Sequence, residues 1–370
     1  MLSTLLILSV VCLAYANGAN DNFKGVATLF GSGTVNYRRA LTWATITTLC
    51  GSFVAVLLAD KLLKQFSGKG LVPVELVADP RYQAAVALGA GLTVLLATLI
   101  GMPISTTHGL VGSLVGAGWA AGASVHLGQL GSSFFLPLLL SPVVAIVATT
   151  IVYSLLHLVR MRCGITESTC FCVGTRAIEV MPGVCEAAAL QRVEALSVTV
   201  SETVVCRRQY DGRMLGLQVA PVIDCLHYLS AGAVSFARGM NDTPKIAALL
   251  LILPVIGSVG SLTLVGVIIA IGGIISARRV AELMSRQITP LNHGQGVTAN
   301  VVTSCIAILA TTNGLPVSTT HVSCGTLFGI GTVTGNARWN TIARILLAWV
   351  TTLPVAATVS ALAFWWLPIQ

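Results

Sequence analysis

The sequence predicts an all-α polytopic membrane protein. It is expected to hold two inverted-topology repeats with broken helices and re-entrant hairpins, plus a small β-rich soluble insert. Three observations carry that expectation. First, the 370 residues are 55% hydrophobic and only 9% charged, with a mean hydropathy of +0.87. Soluble domains carry about 25% charged residues. Second, 13 of the 34 charged residues crowd between Arg160 and Arg213. Third, two motifs recur in the same order about half a chain apart. This composition excludes a soluble enzyme, a nucleic-acid binder and a disordered chain. The net charge of +8 is what basic cytoplasmic loops produce.

The chain divides into residues 1–158 as a first membrane repeat, 159–222 as a polar insert and 223–370 as a second membrane repeat. Apolar runs before the insert lie near 2–16, 23–33, 40–60, 84–100, 107–122 and 133–158. After it they lie near 224–237, 244–256, 260–277, 297–311, 321–334 and 342–367. A full span needs about 20 apolar residues. Several runs are shorter and come in pairs interrupted by Gly, Pro, Asn or Ser, the pattern that marks the site of a secondary transporter. The opening run lacks a charged leading region and a clear cleavage site, so it reads as a transmembrane helix rather than a signal peptide. Arg38, Arg39, Arg160, Arg162, Arg278, Arg279 and Arg286 put their loops, and the insert, in the cytoplasm by the positive-inside rule. The N-terminus is then outside. The expected location is the plasma (inner) membrane, as a multi-pass protein.

Residues 17–29 read NGANDNFKGVATL and residues 238–250 read RGMNDTPKIAALL. At an offset of 221, Gly18, Asn20, Asp21 and Lys24 meet Gly239, Asn241, Asp242 and Lys245. Residues 101–118 read GMPISTTHGLVGSLVGAG and residues 314–331 read GLPVSTTHVSCGTLFGIG. At an offset of 213, the Pro-x-Ser-Thr-Thr-His core matches, with glycines spaced alike behind it. Duplicated motifs in one order indicate a duplicated transport unit.

Outside the insert, only Asp21 and Asp242 place acid in apolar sequence. A carboxylate at membrane depth costs about 3 kcal/mol, so it points to function. Pairing with Lys24 or Lys245, three residues on, is the bland alternative, and it leaves the duplication unexplained. The glycine before each Asn-Asp can open its helix. Asn20, Asp21, Asn241 and Asp242 then form oxygen-rich sites suited to a small cation. Sodium is the first candidate, and a proton on the Asp is the alternative. Ser105, Thr106 and Thr107, like Ser318, Thr319 and Thr320, follow a proline that starts a new half-helix. Their hydroxyls, with the helix N-terminus, suit phosphate or sulfate. Ordinary capping is the alternative for one copy. His108 and His321 either orient a hydroxyl, bind the oxyanion or accept a proton, or are packed core residues. Asn292, His293 and Gln295 line the pathway or form a loop.

These residues resemble the inorganic phosphate transporter family, the PiT type of sodium- or proton-coupled symporters. The resemblance rests on the repeated Gly-x-Asn-Asp and Pro-x-Ser-Thr-Thr-His motifs. It covers both membrane repeats but not the insert. It implies inverted repeats, alternating access, cation-driven anion uptake and a homodimer. Many members continue the first Asn-Asp as ND-V-A-N-A. Here Asn22-Phe23-Lys24 follows it, and the second copy has Thr243-Pro244-Lys245 behind Arg238. Lys24, Lys245 and Arg238 either bind the anion or stand in for a cation.

The expected function is therefore import of inorganic phosphate with Na+ or H+ across the bilayer. A sulfate permease of the same architecture is the close alternative, and an anion channel or an intramembrane hydrolase the distant ones. No cofactor and no nucleic-acid partner are expected. Partial alternation over Val193–Val205 and the Tyr210-Asp211-Gly212 turn suggest a hairpin in the insert. Its cysteines, Cys163, Cys170, Cys172, Cys185 and Cys206, are expected to be reduced in the cytoplasm. Structural zinc is the minor alternative.

Overall fold

The computed structural model describes residues 2–58, 60–166, 168–176, 195–209 and 214–368. Among them, eight helical segments are long and apolar enough to cross a membrane. The chain forms two compact units, residues 154–226 and the remainder on either side of them.

Before the small sheet the chain runs through α1 (Leu2–Asp21), α2 (Ala27–Gly31), α3 (Tyr37–Leu58), α4 (Asp60–Phe66), α5 (Val74–Val77), α6 (Pro80–Leu99), α7 (Thr106–Ala120), α8 (Leu127–Leu130) and α9 (Leu136–Arg162). Asp79 caps α6, accepting from the Arg81 N–H, and Pro80 takes its first position. There a missing N–H costs nothing. In the smaller unit, β1 (Thr169–Arg176) pairs antiparallel with both β2 (Ala195–Glu202) and β3 (Met214–Gln218), and α10 (Thr203–Gln209) follows β2. After the sheet the chain runs through α11 (Val219–Ala247), α12 (Gly257–Ser276), α13 (Arg278–Arg286), α14 (His293–Thr312), α15 (Thr319–Thr334) and α16 (Trp339–Trp366).

The polarity of the larger unit suits lipid. Leu139, Val143, Val147 and Ile151 of α9 are exposed, as are Leu347 and Val350 of α16. Polar side chains such as Asn17, Asn241, Ser105 and Ser318 are buried. This is an integral, multi-pass membrane protein.

Glycines let the repeats interlock. A Cβ on Gly18 of α1 would sit 1.9 Å from the Ile269 carbonyl oxygen of α12, and one on Gly272 of α12 would sit 2.1 Å from that of Tyr15. The other crossing is equivalent. Gly239 of α11 lies against the Thr48 oxygen of α3 at 2.1 Å, and Gly51 against that of Phe236 at 2.0 Å. All four positions of one crossing map onto the other at the motif offset of 221. The motif helix of each repeat therefore packs on a helix of the opposite repeat. Backbones approach this closely in lipid only where side chains are absent.

This corrects one expectation. Neither Gly18 nor Gly239 opens its helix, because both lie inside helices and serve the crossings. The first chain break comes after Asp21, where a short 3-10 segment (Lys24–Val26) leads into α2. In the second copy α11 continues through Asn241 and Asp242 to Ala247, and the 3-10 turn is displaced to Ala248–Leu250.

The small sheet has the order β2-β1-β3. The alternating segment is strand only as far as Glu202, and α10 replaces its last residues. The two-residue alternation of β1 puts Cys170 and Cys172 on one face. Cys206 of α10 returns over that face, 6.4 Å from Cys172 between Cα atoms, and the two form a disulfide. That separation is within disulfide reach, so the expectation of reduced thiols fails for this pair. Cys185 and the Tyr210-Asp211-Gly212 turn lie outside the described residues.

A methyl group at either crossing glycine must push two backbones apart. Gly18→Ala and Gly239→Ala are each expected to destabilise the protein by about 1–3 kcal/mol. Thermal unfolding in detergent reads this, with Gly128→Ala, whose added Cβ meets no atom of the described residues within 4 Å, expected to leave the melting temperature unchanged.

Candidate functional site

Among the described residues, the charged side chains that are buried are Asp21, Lys24, Arg238, Asp242 and Lys245. All five belong to the repeated Asn-Asp segments. Three cations against two carboxylates leave one formal positive charge. An unpaired charge at this depth is strongly unfavourable, so each must find polar partners.

Lys24 has four. Its Nζ donates to Asn20 Oδ1 at 2.9 Å, to Asp21 Oδ1, to the Ile104 carbonyl at 2.9 Å and to Thr320 Oγ1 at 2.6 Å. The first three acceptors come from its own repeat and the fourth from the other. Lys245 repeats part of the arrangement. Its Nζ donates to the Val317 carbonyl at 2.6 Å and to Thr107 Oγ1 at 2.9 Å, and lies 3.6 Å from Asp242 Oδ1. Ile104 and Val317 are equivalent at the offset of 213, as are Thr107 and Thr320. Each lysine thus binds a carbonyl of its own repeat and a threonine of the opposite one.

The second motif builds the other wall. Ser105 caps α7 by accepting from the His108 N–H at 3.1 Å, and Ser318 caps α15 by accepting from the His321 N–H at 3.2 Å. Capping thus accounts for the two serines. The threonines face the charges. Thr106 Oγ1 donates to Asp21 Oδ2 at 3.2 Å, and Thr319 Oγ1 to Asp242 Oδ2 at 3.3 Å. Thr320 Oγ1 donates across to the Ile104 carbonyl at 2.9 Å, and Thr107 Oγ1 to that of Val317 at 3.5 Å. The N-termini of the two half-helices therefore meet around one approximate two-fold centre. His108 and His321 also meet there, with ring centroids 4.6 Å apart. His321 stacks on Trp349 at 3.9 Å.

The two asparagines act as braces. Asn20 Nδ2 donates to Thr98 Oγ1 at 2.9 Å and to the Met102 carbonyl at 3.0 Å, tying α1 to the end of α6. Asn241 Oδ1 accepts from Thr311 Oγ1 at 3.1 Å, tying α11 to the end of α14. Asn20 Oδ1 faces Lys24. All four oxygen-bearing residues of the expected cation sites are thus gathered at the centre, each pair beside an ammonium group.

One partner, Asn17, was not among the residues expected from the sequence. Asn17 donates to Asp21 Oδ2 and to Thr106 Oγ1, both at 3.0 Å. Its position one helical turn before Asp21 was the available signal. Arg238 Nη2 donates to Asn22 Oδ1 and Thr48 Oγ1, both at 3.0 Å, while its buried Nε and Nη1 find no hydrogen-bond partner among the described residues. Asn292 and Gln295 do not join the centre. They form the capping box of α14.

Broken helices around a duplicated, charged, buried centre are the architecture of a membrane transporter. A model described as the phosphate transporter family matches residues 17–360. The chain belongs to that family. It is 28% identical to a protein of Rhizobium meliloti named as a low-affinity inorganic phosphate transporter, over 95% of this chain and 92% of the relative. It is 26% identical to a protein of Pyrococcus abyssi named as a phosphate permease, over 96% and 95%. The inorganic phosphate transporter 2-1 of Arabidopsis thaliana chloroplasts is 25% identical, over 95% and 70%. A solved structure titled the sodium-dependent phosphate transporter shares the fold, with a TM-score of 0.75 and 21% identity over 98% of both chains.

The Asp21–Lys24 pair gives a test of the charge balance. Lys24→Met leaves the Asp21 carboxylate buried without its cation and is expected to cost about 3–5 kcal/mol. Adding Asp21→Asn to that variant should restore most of the loss. Thermal unfolding of the purified single and double variants checks both outcomes.

Proposed function

We propose that the protein is a secondary active importer of inorganic phosphate that works by alternating access with a coupled cation. The observation that carries this reading is the crossed binding at the centre. Lys24 holds Thr320 of the other repeat, and Lys245 holds Thr107. A rearrangement of one repeat against the other must break both contacts together. An oxyanion arriving between the α7 and α15 N-termini would find threonine hydroxyls, two helix dipoles and a net positive charge, the setting that favours anions.

The carboxylates favour phosphate over sulfate. Phosphate near neutral pH keeps a proton that it can donate to Asp21 or Asp242. Sulfate has no proton to give and meets only repulsion there. Phosphate is also what the names of the relatives specify. Duplication argues against an intramembrane hydrolase, since catalysis needs one constellation and not two equivalent ones. Accumulation of phosphate against its gradient distinguishes a carrier from a channel. The basic loops support placing the insert in the cytoplasm and the N-terminus outside.

Counterflow in proteoliposomes tests the substrate. Labelled phosphate is expected to exchange, and excess sulfate to leave the rate unchanged. Exchange of sulfate but not phosphate would contradict the assignment. Thr107→Val and Thr320→Val each remove a hydroxyl that bonds a charged group. Each is expected to lower phosphate exchange about tenfold or more.

A further inference from the structure

We infer that the ammonium groups of Lys24 and Lys245 are tethered cations that fill the cation positions of the two Asn-Asp motifs, so that phosphate transport by this chain does not require sodium. This rests on the phosphate-transport reading above and names the ion requirement of the same site.

The coordination of Lys24 carries the inference. A carboxylate oxygen, an amide oxygen, a backbone carbonyl and a hydroxyl surround Nζ. That is the hard-oxygen donor set a small cation takes. An ammonium has three protons to donate, and the shell around it is already full. A sodium ion bound to the Asn20 and Asp21 oxygens would have to displace Nζ or sit against a like charge. The second motif reproduces part of the arrangement, with the Lys245 ammonium bound to the Val317 carbonyl and Thr107 and 3.6 Å from Asp242 Oδ1, while the Asn241 amide oxygen turns to Thr311. Both lysines are buried, so water does not screen the repulsion.

The occupied shell also decides between the two roles open to the lysines. As direct anion ligands they would need free protons. Lys24 has none to spare without leaving Asp21 or Thr320. Arg238 differs, since its Nε and Nη1 are unpartnered among the described residues. The charge count agrees: the lysines balance Asp21 and Asp242, and Arg238 supplies the excess for the anion.

With sodium unnecessary, the proton is the coupling ion that remains. The titratable and charged groups around the two ammoniums are Asp21, Asp242, Arg238, His108, His321 and Cys324. A cavity of about 10 Å³ beside Lys24, lined by Thr28, Asn300, Thr303, Ser323 and Thr326, has room for about one water molecule.

The test uses the full-length protein in proteoliposomes. Labelled phosphate counterflow is measured with sodium on both sides and again with sodium replaced by choline. The expected rates agree within about twofold. Absence of phosphate exchange in both media would remove the transport reading itself. Exchange that falls about tenfold or more in choline would overturn the tethered-cation inference alone. A second measurement needs no transport. Sodium chloride should shift the melting temperature of the wild-type protein no more than choline chloride does. Lys24→Asn/Lys245→Asn, which empties both positions, should gain stabilisation specific to sodium, as a bound ligand produces. If that variant folds and sodium still does nothing for it, the inference fails. If it does not fold, the wild-type comparison decides.

Discussion

The constraint on which the membrane unit depends is the burial of five charges away from bulk water. Asp21, Lys24, Arg238, Asp242 and Lys245 sit among apolar helices, and an unpaired ion there would outweigh much of a protein's marginal stability. Each charge is therefore held by groups from several elements. The Asn-Asp segments supply the carboxylates and ammoniums. The Ser-Thr-Thr segments supply hydroxyls and helix termini. The carbonyls of Ile104 and Val317, just before those half-helices, close the shells. Removing one element would strand a charge held by another.

That requirement explains the interlocking of the repeats. A lysine and its threonine partner lie in different repeats, so the repeats must come close enough for side-chain contact. The glycine crossings of α1 on α12 and of α11 on α3 provide the approach. The same device recurs where Gly112 and Gly116 of α7 meet carbonyls of α16, and where Gly325 and Gly329 of α15 meet carbonyls of α9. Packing and electrostatics thus share one approximate two-fold relation.

Much of this was legible in the sequence, for a physical reason. Charge is so costly in lipid that Asp21 and Asp242 stood out, and duplication made their partners visible at fixed offsets. The half-helices after Pro103 and Pro316 were legible because proline and serine act locally. What depends on contacts across the fold was not. Nothing in the local sequence says that Lys24 reaches Thr320, or that Gly18 serves a crossing rather than a break. Asn292 and Gln295 looked like a polar site and proved to be a helix cap, because capping residues and ligands are the same side chains. The disulfide between Cys172 and Cys206 depends on where α10 returns over β1, which spacing does not reveal.

On the reading proposed above, the anion sits at the crossed lysine–threonine centre. A structure of the protein determined with phosphate bound tests it most directly. Density for the anion is expected between the N-termini of α7 and α15, within hydrogen-bond reach of Thr107 or Thr320. Phosphate bound in a well-formed site elsewhere, with the Lys24–Thr320 and Lys245–Thr107 contacts intact, would contradict it.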